Sequence, residues 1–234
     1  MTFVKKLKSR WAGLILWLLL AVGVSMIVYP WMEARHQENE QLRLLAEWSA
    51  ELQAAAAVSP QSPPAAAEPV KLALTADNRA QEPEPAPVPQ WKKVDDLELL
   101  GSLRIGNIDL TEPIVKGVDE TALKHGAGTV LEGVLPGQIG NFVLAGHRGW
   151  AGGRYFNRLN ELEPGDDVDI ETTAGTYRYI VTEKLVVEPD DLSVLQSEPG
   201  ESMLTLITCH PLRTHTHRLI VKAKLVSLDK EPNQ

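Results

Sequence analysis

The fold is constrained most by the segment after residue 91, where short β-branched apolar runs alternate with Gly, Pro and Asp turn signals. The predicted strands cover residues 99–105, 107–115, 141–146, 167–172, 176–187, 203–209 and 217–227. Short helices are predicted at residues 119–124 and around 155–161. Many short strands at regular spacing are typical of a closed barrel or a sandwich. The sequence therefore predicts a mostly β domain over residues 91–234.

A long apolar run near the N-terminus predicts a membrane anchor. Residues 11–31 contain no charged side chain, and about 20 apolar residues are enough to span the hydrocarbon core as a helix. Residues 1–10 carry Lys and Arg but no acid, so we expect a cytoplasmic tail there and an extracytoplasmic domain after the anchor. A cleaved signal peptide is the alternative, but its shorter apolar region ends in small residues, whereas Tyr-Pro-Trp-Met-Glu ends the run here. We predict a single-pass protein of the cell membrane.

Residues 32–90 are interpreted as a stalk followed by a linker. Leu and Trp side chains recur at three- and four-residue spacing over residues 32–57, which indicates an amphipathic helix that we interpret as a solvated or weakly self-associating stalk. Residues 58–90 hold eight of the 16 prolines and are rich in Ala and Glu. Such a segment cannot bury enough apolar surface to fold and stays extended, so we predict a spacer.

Charge and cysteine content exclude some functions. The net charge of −8 gives no basic surface for nucleic acid. A single cysteine cannot form an intramolecular disulfide. Cys209 is therefore either a buried small side chain, which composition alone favours, or a free reactive thiol.

Two predicted strands bring this cysteine close to a permanent cation. Cys209 ends the apolar run over residues 203–209, and Arg218 opens the next run nine residues later. Cysteine chemistry needs a thiolate, and a free thiol with a pKa of about 8.5 is only slightly ionised at pH 7. It also needs a general acid/base and a cation or amide donor for the oxyanion. Arg218 is the candidate cation.

Histidine is the candidate acid/base. His147 ends the apolar strand over residues 141–146 and lies in a Gly-flanked bend, which suits catalysis. His36 lies in the stalk and is interpreted as solvated, and His125 lies in a turn and is interpreted as a surface residue. We therefore select His147.

Three further histidines beside Cys209 raise the alternative of a zinc site, since thiolate and imidazole suit zinc. They are His210, His215 and His217. Adjacent residues of an extended segment point to opposite faces, so Cys209 and His210 do not converge, and no complete tetrahedral set is evident. We interpret this segment as a polar loop and predict no metal.

Three segments together resemble the motifs of one enzyme family. Thr-Leu-Ile-Thr precedes Cys209, with Arg218 at the start of the next strand; Asn-Phe-Val-Leu-Ala-Gly precedes His147; and residues 156–168 read Phe-Asn-Arg-Leu-Asn-Glu-Leu-Glu-Pro-Gly-Asp-Asp-Val. In this order they are similar to the sortases, cysteine transpeptidases of the bacterial cell envelope. The likeness covers roughly residues 95–228.

The resemblance implies an eight-stranded β-barrel and a cofactor-free mechanism. Cys209 would attack the Thr–Gly carbonyl of an LPxTG-like sorting signal and form a thioacyl enzyme, which an amine of a cell-wall precursor or another protein would resolve. His147 would protonate the leaving amine and deprotonate the incoming one. Arg218 would hold the oxyanion or the substrate backbone, and Thr208 would lie at the substrate groove.

The subclass and the acceptor stay open at this point. The Cys-x-Pro sequence and the nine-residue spacing from Cys209 to Arg218 are similar to classes C and D. No Asp-Pro-aromatic lid motif is present and the chain ends soon after its last predicted strand, so class D is favoured, with class C next. A cysteine hydrolase that uses water on the same scaffold is the main alternative. A binding module with a buried Cys209 is the third.

Overall fold

The computed structural model describes residues 2–58, 88–148, 155–212 and 214–229. Most of the predicted Pro-rich spacer therefore lies outside the described residues. Within these ranges a long N-terminal helix precedes short strands and short helices. The bounds are α1 Thr2–Val58, β1 Lys92–Val94, β2 Leu97–Ile105, β3 Leu110–Val115, α2 Glu120–His125, β4 Ala127–Thr129, β5 Gly140–Ala145, β6 Asp167–Thr172, β7 Gly175–Val187, β8 Ser202–His210 and β9 His217–Asp229. Short 3-10 helices cover Gly106–Ile108, Tyr155–Glu161 and Leu192–Leu195.

The strands form one closed barrel. Neighbours are arranged in the order β1-β2-β3-β4-β5-β8-β9-β7-β6, and β6 also pairs with β2. That additional pairing joins the two ends of the sheet, so eight strands close on themselves while β1 pairs with the first residues of β2. The prediction of a mostly β, eight-stranded barrel is confirmed.

The seven predicted strands and two predicted helices all have counterparts in the structure. The predicted bounds are the same for β6 and differ at one end or both for the others. Sequence reasoning missed β1 and β4, which are three residues long each. A strand this short is below the length at which alternation of apolar and polar residues can be recognised.

Alternation along the central strands separates the core from the outer surface. Leu144 of β5 and both Leu204 and Leu206 of β8 are buried in the barrel core. Successive side chains of a strand point to opposite faces. Ile207 and Cys209 therefore point to the outer face of the barrel, and any site built around the thiol lies on that face.

The last turns of α1 pack onto the barrel. Leu44 and Trp48 are 3% and 4% exposed, and they form an apolar cluster with Leu99, Val115 and Ala122. The interpretation of this part of residues 32–57 as a solvated stalk is therefore wrong, because its apolar stripe is buried against the strands of the barrel. A truncation at residue 91 would expose the barrel side of this cluster.

We expect Trp48→Ala to lower the free energy of unfolding of the full chain by about 3–5 kcal/mol, the range for removing a buried Trp side chain. The reason is the loss of the apolar contacts that Trp48 makes in the cluster with Leu99 and Val115. Denaturant unfolding followed by fluorescence or circular dichroism measures the change. Leu42→Ala is the matched control, because Leu42 is 59% exposed on the same helix. Equal stability of the two variants would contradict the packing described here.

The predicted membrane anchor falls within α1. Among the residues that the structure describes, no helix combines the length and the apolar character needed to cross a membrane. The anchor over residues 11–31 stays a prediction from the sequence.

Candidate active site

Cys209 and Arg218 are direct partners on neighbouring strands. β8 and β9 are antiparallel, and their register pairs Cys209 with Arg218 and Ile207 with Ile220. Directly opposed residues of an antiparallel pair point to the same face, with Cβ atoms about 4.5–5.5 Å apart. The structure thus brings together the thiol and the guanidinium that the sequence predicted to lie side by side.

His147 reaches the same level of the sheet from the other side of β8. β5 runs parallel to β8 with Ala145 paired to Ile207, and the Gly146 amide donates to the Ile207 carbonyl at 3.0 Å. Two residues further along both strands, His147 lies just after β5 and beside Cys209. One row across the outer face therefore holds, in order, His147, Cys209 and Arg218.

Contacts from a separate segment hold His147 in place. The Phe156 amide donates to the His147 carbonyl at 3.0 Å, and the Tyr155 ring meets the imidazole edge-on with centroids 6.2 Å apart. Tyr155 has a positive φ of 56°, and its amide donates to the buried Glu112 carboxylate at 2.8 Å. Glu112 thus anchors the turn that packs against the histidine.

Close packing also explains the glycine in front of His147. A Cβ on Gly146 would lie 2.9 Å from the Phe156 ring, closer than real Cβ contacts allow. The Gly146 carbonyl accepts a hydrogen bond of 2.7 Å from the Thr208 hydroxyl. Gly146 therefore lets the chain turn tightly against Phe156 and keeps β5 and β8 in register up to the histidine.

The position of Thr208 corrects one expectation. The sequence placed Thr208 at the substrate groove, but the residue is 2% exposed and pairs with the core residue Leu219. It points to the inner face, opposite to Cys209. Its hydroxyl donates a hydrogen bond to the Gly146 carbonyl. Thr208 therefore positions the backbone before His147 and does not line the groove.

Two backbone carbonyls orient Arg218. Its Nη1 donates to the carbonyls of His215 and His217 at 3.2 and 3.1 Å. The half-buried guanidinium also lines a groove on the outer face. It is therefore held both by the loop between β8 and β9 and by the strand it opens.

The groove has a volume of about 240 Å³, lies on the outer face and includes Arg218 in its lining. Its floor comes from β5, β8, β9 and β7, and its wall from the 3-10 helix Leu192–Leu195. The floor residues are Ala145, Ile207, Ile220 and Val187. An apolar channel that reaches Arg218, the partner of Cys209 across the β8–β9 pair, suits an extended peptide whose scissile bond lies at one end.

Asn141 fastens the wall of this groove to its floor. The residue is 2% exposed; its Oδ1 accepts from the Thr205 hydroxyl at 2.8 Å, and its Nδ2 donates to the carbonyls of Val194 and Leu195 at 3.2 Å each. A buried carboxamide with all these partners joins β5, β8 and the 3-10 helix. The sequence motif before His147 gave no reason to select Asn141, because a buried Asn in a strand is recognised only through its partners.

Partial burial and nearby charges together set the protonation of His147. His147 is exposed to solvent, but part of its imidazole is withdrawn from water. This partial burial lowers the pKa of His147 below the ordinary 6.5. The Glu120 carboxylate acts in the opposite direction, and His215 and Lys124 add to the lowering. The neutral imidazole therefore dominates at pH 7.

We expect Glu120→Gln to lower the pKa of His147 further, because the change removes a carboxylate that favours the imidazolium. The imidazole proton signals of the chain, followed by NMR against pH, measure this. The His147 signal is assigned by its loss in His147→Ala, and its midpoint should move to lower pH. Glu98→Gln is the control, since Glu98 pairs with Lys116 at 2.7 Å. A midpoint that moves upward would contradict the assignment of Glu120.

The structure gives the exposure of Cys209 and the contacts of two further histidines, His217 and His125. Cys209 is a free cysteine of intermediate exposure, which disagrees with the buried thiol that composition favoured. His217 lies 3.4 Å from the Glu188 carboxylate, and His125 contacts the Thr121 carbonyl of its own helix. Within the described ranges, no three His, Cys, Asp or Glu side chains are grouped so that they could hold a metal ion.

Proteins of similar sequence come from the family that the motifs resemble. Residues 103–226 match the family described as Sortase domain. Sortase A of Streptococcus agalactiae is 34% identical over 137 residues, which cover 57% of this chain and 55% of that protein. Sortase D of Bacillus subtilis is 33% identical over 111 residues, which cover 47% and 54%. The chain spans about half the length of these curated relatives.

Solved structures agree with the fold and with the sequence match. The sortase C structure from Streptococcus pneumoniae superposes with a TM-score of 0.55 at 30% identity, covering 60% of this chain and 71% of that chain. Sortase A from Corynebacterium diphtheriae gives a TM-score of 0.52 at 34% identity, with 64% of both chains covered. With a family match over more than half of its residues, this chain belongs to the sortase family.

Proposed function

We propose that the chain is a cysteine transpeptidase that cleaves an LPxTG-like sorting signal between Thr and Gly and transfers the acyl group to an amine. One observation carries the proposal: the strand register aligns His147, Cys209 and Arg218, and Arg218 lines an apolar groove. The row supplies a nucleophile, an acid/base and a cation, which are the parts that acyl transfer through a thiol needs. Family membership supports this chemistry in general.

In the first half-reaction the Cys209 thiolate adds to the Thr carbonyl and forms a tetrahedral oxyanion. Arg218 stabilises that oxyanion from the neighbouring strand, with its guanidinium oriented by the carbonyls of His215 and His217. Collapse of the intermediate breaks the Thr–Gly bond, and His147, which takes the thiol proton as Cys209 ionises, gives that proton to the leaving Gly amine. The products are a thioester on Cys209 and a free Gly-containing tail.

In the second half-reaction an amine of a cell-wall precursor or another protein attacks the thioester. Neutral His147 removes a proton from the attacking nitrogen, and the lowered pKa of this imidazole favours the base form at pH 7. The thiolate of Cys209 leaves and an amide bond remains. Water in place of the amine would give a carboxylic acid, which is the hydrolase alternative.

The products distinguish transfer from hydrolysis. The full chain is incubated with a peptide labelled on the N-terminal side of an LPxTG sequence, with and without a triglycine amine, and the labelled products are identified by mass spectrometry. An amide product that increases with amine concentration is the result expected. Acid as the main labelled product at saturating amine would support the hydrolase, and an uncleaved peptide together with no acyl-enzyme would reject the proposal for this sorting signal.

The subclass and the location are also part of the proposal. We assign the chain to a lidless, class D-like group, although its relatives carry the names of several sortase classes. We assign residues 11–31 to a signal anchor because the run is uncharged, basic residues precede it, and its described side chains from 17 to 29 are all exposed. Protease digestion of intact cells should remove the domain after residue 31, and alkaline extraction should leave the full chain in the membrane.

A further inference from the structure

Arg148 comes directly after His147, yet its side chain joins three separate parts of the site. Its Nη1 donates to the Cys209 carbonyl at 3.3 Å and to Nδ1 of His210 at 2.9 Å. Its Nη2 donates to Oδ1 of Asn160 at 2.6 Å, and its Nε to the Asn157 carbonyl at 3.4 Å. The segment after β5, the 3-10 helix Tyr155–Glu161 and the end of β8 are thereby tied together at the cysteine.

We propose that Arg148 is a positioning residue for the nucleophile, a second cation that favours the thiolate form of Cys209 and fixes the end of β8. Arg218 approaches Cys209 from β9, whereas Arg148 approaches it from the opposite neighbour, the segment after β5. The cysteine therefore lies between two guanidinium groups with different tasks. Arg218 serves the oxyanion in the groove, and Arg148 serves the sulfur and its backbone.

The electrostatics agree with this geometry. Partial burial lowers the pKa of Arg148, and the charge on Cys209 acts in the opposite direction. Arginine stays protonated in proteins, so the interaction is one between a permanent cation and a thiolate. Arg148 is therefore a permanent cation that is hydrogen-bonded to the backbone of the cysteine.

His210 fits the same arrangement as a neutral partner. A guanidinium only donates hydrogen bonds, so Nδ1 of His210 must accept from Arg148, which requires the tautomer with its proton on Nε2. Burial and the charge of Arg148 lower the pKa of His210, with a smaller contribution from His217. Neutral His210 leaves the positive charge of Arg148 directed at Cys209. Among the described residues, the basic side chains on the segments next to Cys209 include those of Arg148, Arg218, His147 and His210.

The inference rests on the proposed role of Cys209 as nucleophile, and its test uses the thiol without any peptide. Cys209 is the only cysteine of the chain, so iodoacetamide alkylation followed by intact mass reports on this thiol alone. Arg148→Gln keeps a donor near the Cys209 carbonyl and removes the charge. Because iodoacetamide reacts with the thiolate, we expect the loss of this charge to slow alkylation at pH 7 about tenfold. The rates of the two proteins should converge at pH 10, because free thiols in general are ionised at that pH.

Three companion variants make the outcome decisive. Arg148→Lys keeps the charge and should restore most of the rate at pH 7. Asn160→Asp changes an exposed partner of Arg148 and places a carboxylate against the guanidinium, so it should slow alkylation even if Arg148→Gln fails to fold. Arg104→Met, which removes an exposed arginine paired with Glu171 on β2, should change nothing. Alkylation at pH 7 that is equally fast in Asn160→Asp and the unchanged protein, or in Arg148→Gln where it folds, would overturn the proposal.

This readout separates the inference from the proposed function. Failure of the peptide assay with normal alkylation kinetics in all variants would count against both the transpeptidase and the role of Arg148. Slow alkylation in Arg148→Gln with no peptide cleavage by the unchanged protein would support Arg148 and reject only the assigned sorting signal.

Discussion

Replacing Cys209 with alanine is expected to abolish peptide transfer, with a fall of about 10⁴-fold or more in rate, because no other group in the row can form the covalent intermediate. The only thiol of the chain is lost with this change. Intact mass spectrometry of the full chain mixed with an LPxTG peptide should show an acyl adduct on the unchanged protein and none on Cys209→Ala. Amide formation by the variant above the uncatalysed rate would reject covalent catalysis by Cys209.

The loss should concern chemistry and not folding. Cys209 is half-exposed at the end of β8, so removing its sulfur creates no closed cavity, and we expect the free energy of unfolding to change by less than about 1 kcal/mol. Ile207→Ala is a useful contrast, since Ile207 lies on the same face of β8 and lines the groove. That variant should still form the acyl adduct, with a higher KM for the peptide.

The barrel could be predicted because its strands carry strong local signals. The runs that became β8 and β9 are long, rich in β-branched residues and bounded by polar loops, and their short connection requires an antiparallel pair. That pairing alone put Cys209 next to Arg218. His147 was selected because a histidine in a Gly-flanked bend at the end of an apolar strand suits catalysis in a chain that also offers Cys209, and its place beside Cys209 results from the parallel pairing of β5 with β8.

The supporting residues could not be predicted because their roles depend on partners that are distant in sequence. Glu112 looks like an ordinary strand acid until its carboxylate meets the Tyr155 amide, 43 residues later. Arg148 belongs to a motif in the sequence, and only the folded chain brings it to the Cys209 carbonyl, 61 residues away. Thr208 was misassigned for a related reason: its neighbour Cys209 faces the groove, and alternation then directs Thr208 to the inner face.

The burial of the last turns of α1 could not be predicted for a different reason. The apolar spacing in residues 32–57 was correctly interpreted as helical, but periodicity does not identify the surface that covers the apolar stripe. The partners of Trp48 are Leu99, Val115 and Ala122, which lie beyond the Pro-rich segment in sequence. A spacer between two elements does not prevent them from packing together.

Arg218→Lys is expected to lower kcat/KM by about 10²–10³-fold, the range observed when one oxyanion donor is removed. The charge remains, so a role limited to net charge would predict little change. Arg218 uses one nitrogen on the carbonyls of His215 and His217, and its planar fork can present further N–H groups to the groove at the same time. A lysine ammonium is a single point charge, so in that geometry it cannot bind these carbonyls and the oxyanion at the same time.

The kinetic signature locates the defect of Arg218→Lys in the acylation step. Rapid mixing with the labelled peptide should show slower accumulation of the thioester on Cys209, while iodoacetamide alkylation of the thiol at pH 7 stays within a few-fold of the unchanged protein, because a cation still pairs with the cysteine from β9. Arg178→Lys is the matched control. Arg178 lies on β7 and forms an ion pair of 2.9 Å with Asp169, and this position should tolerate the change. Near-normal acylation by Arg218→Lys would reject the oxyanion role and leave Arg218 as a structural link between the β8–β9 loop and the groove.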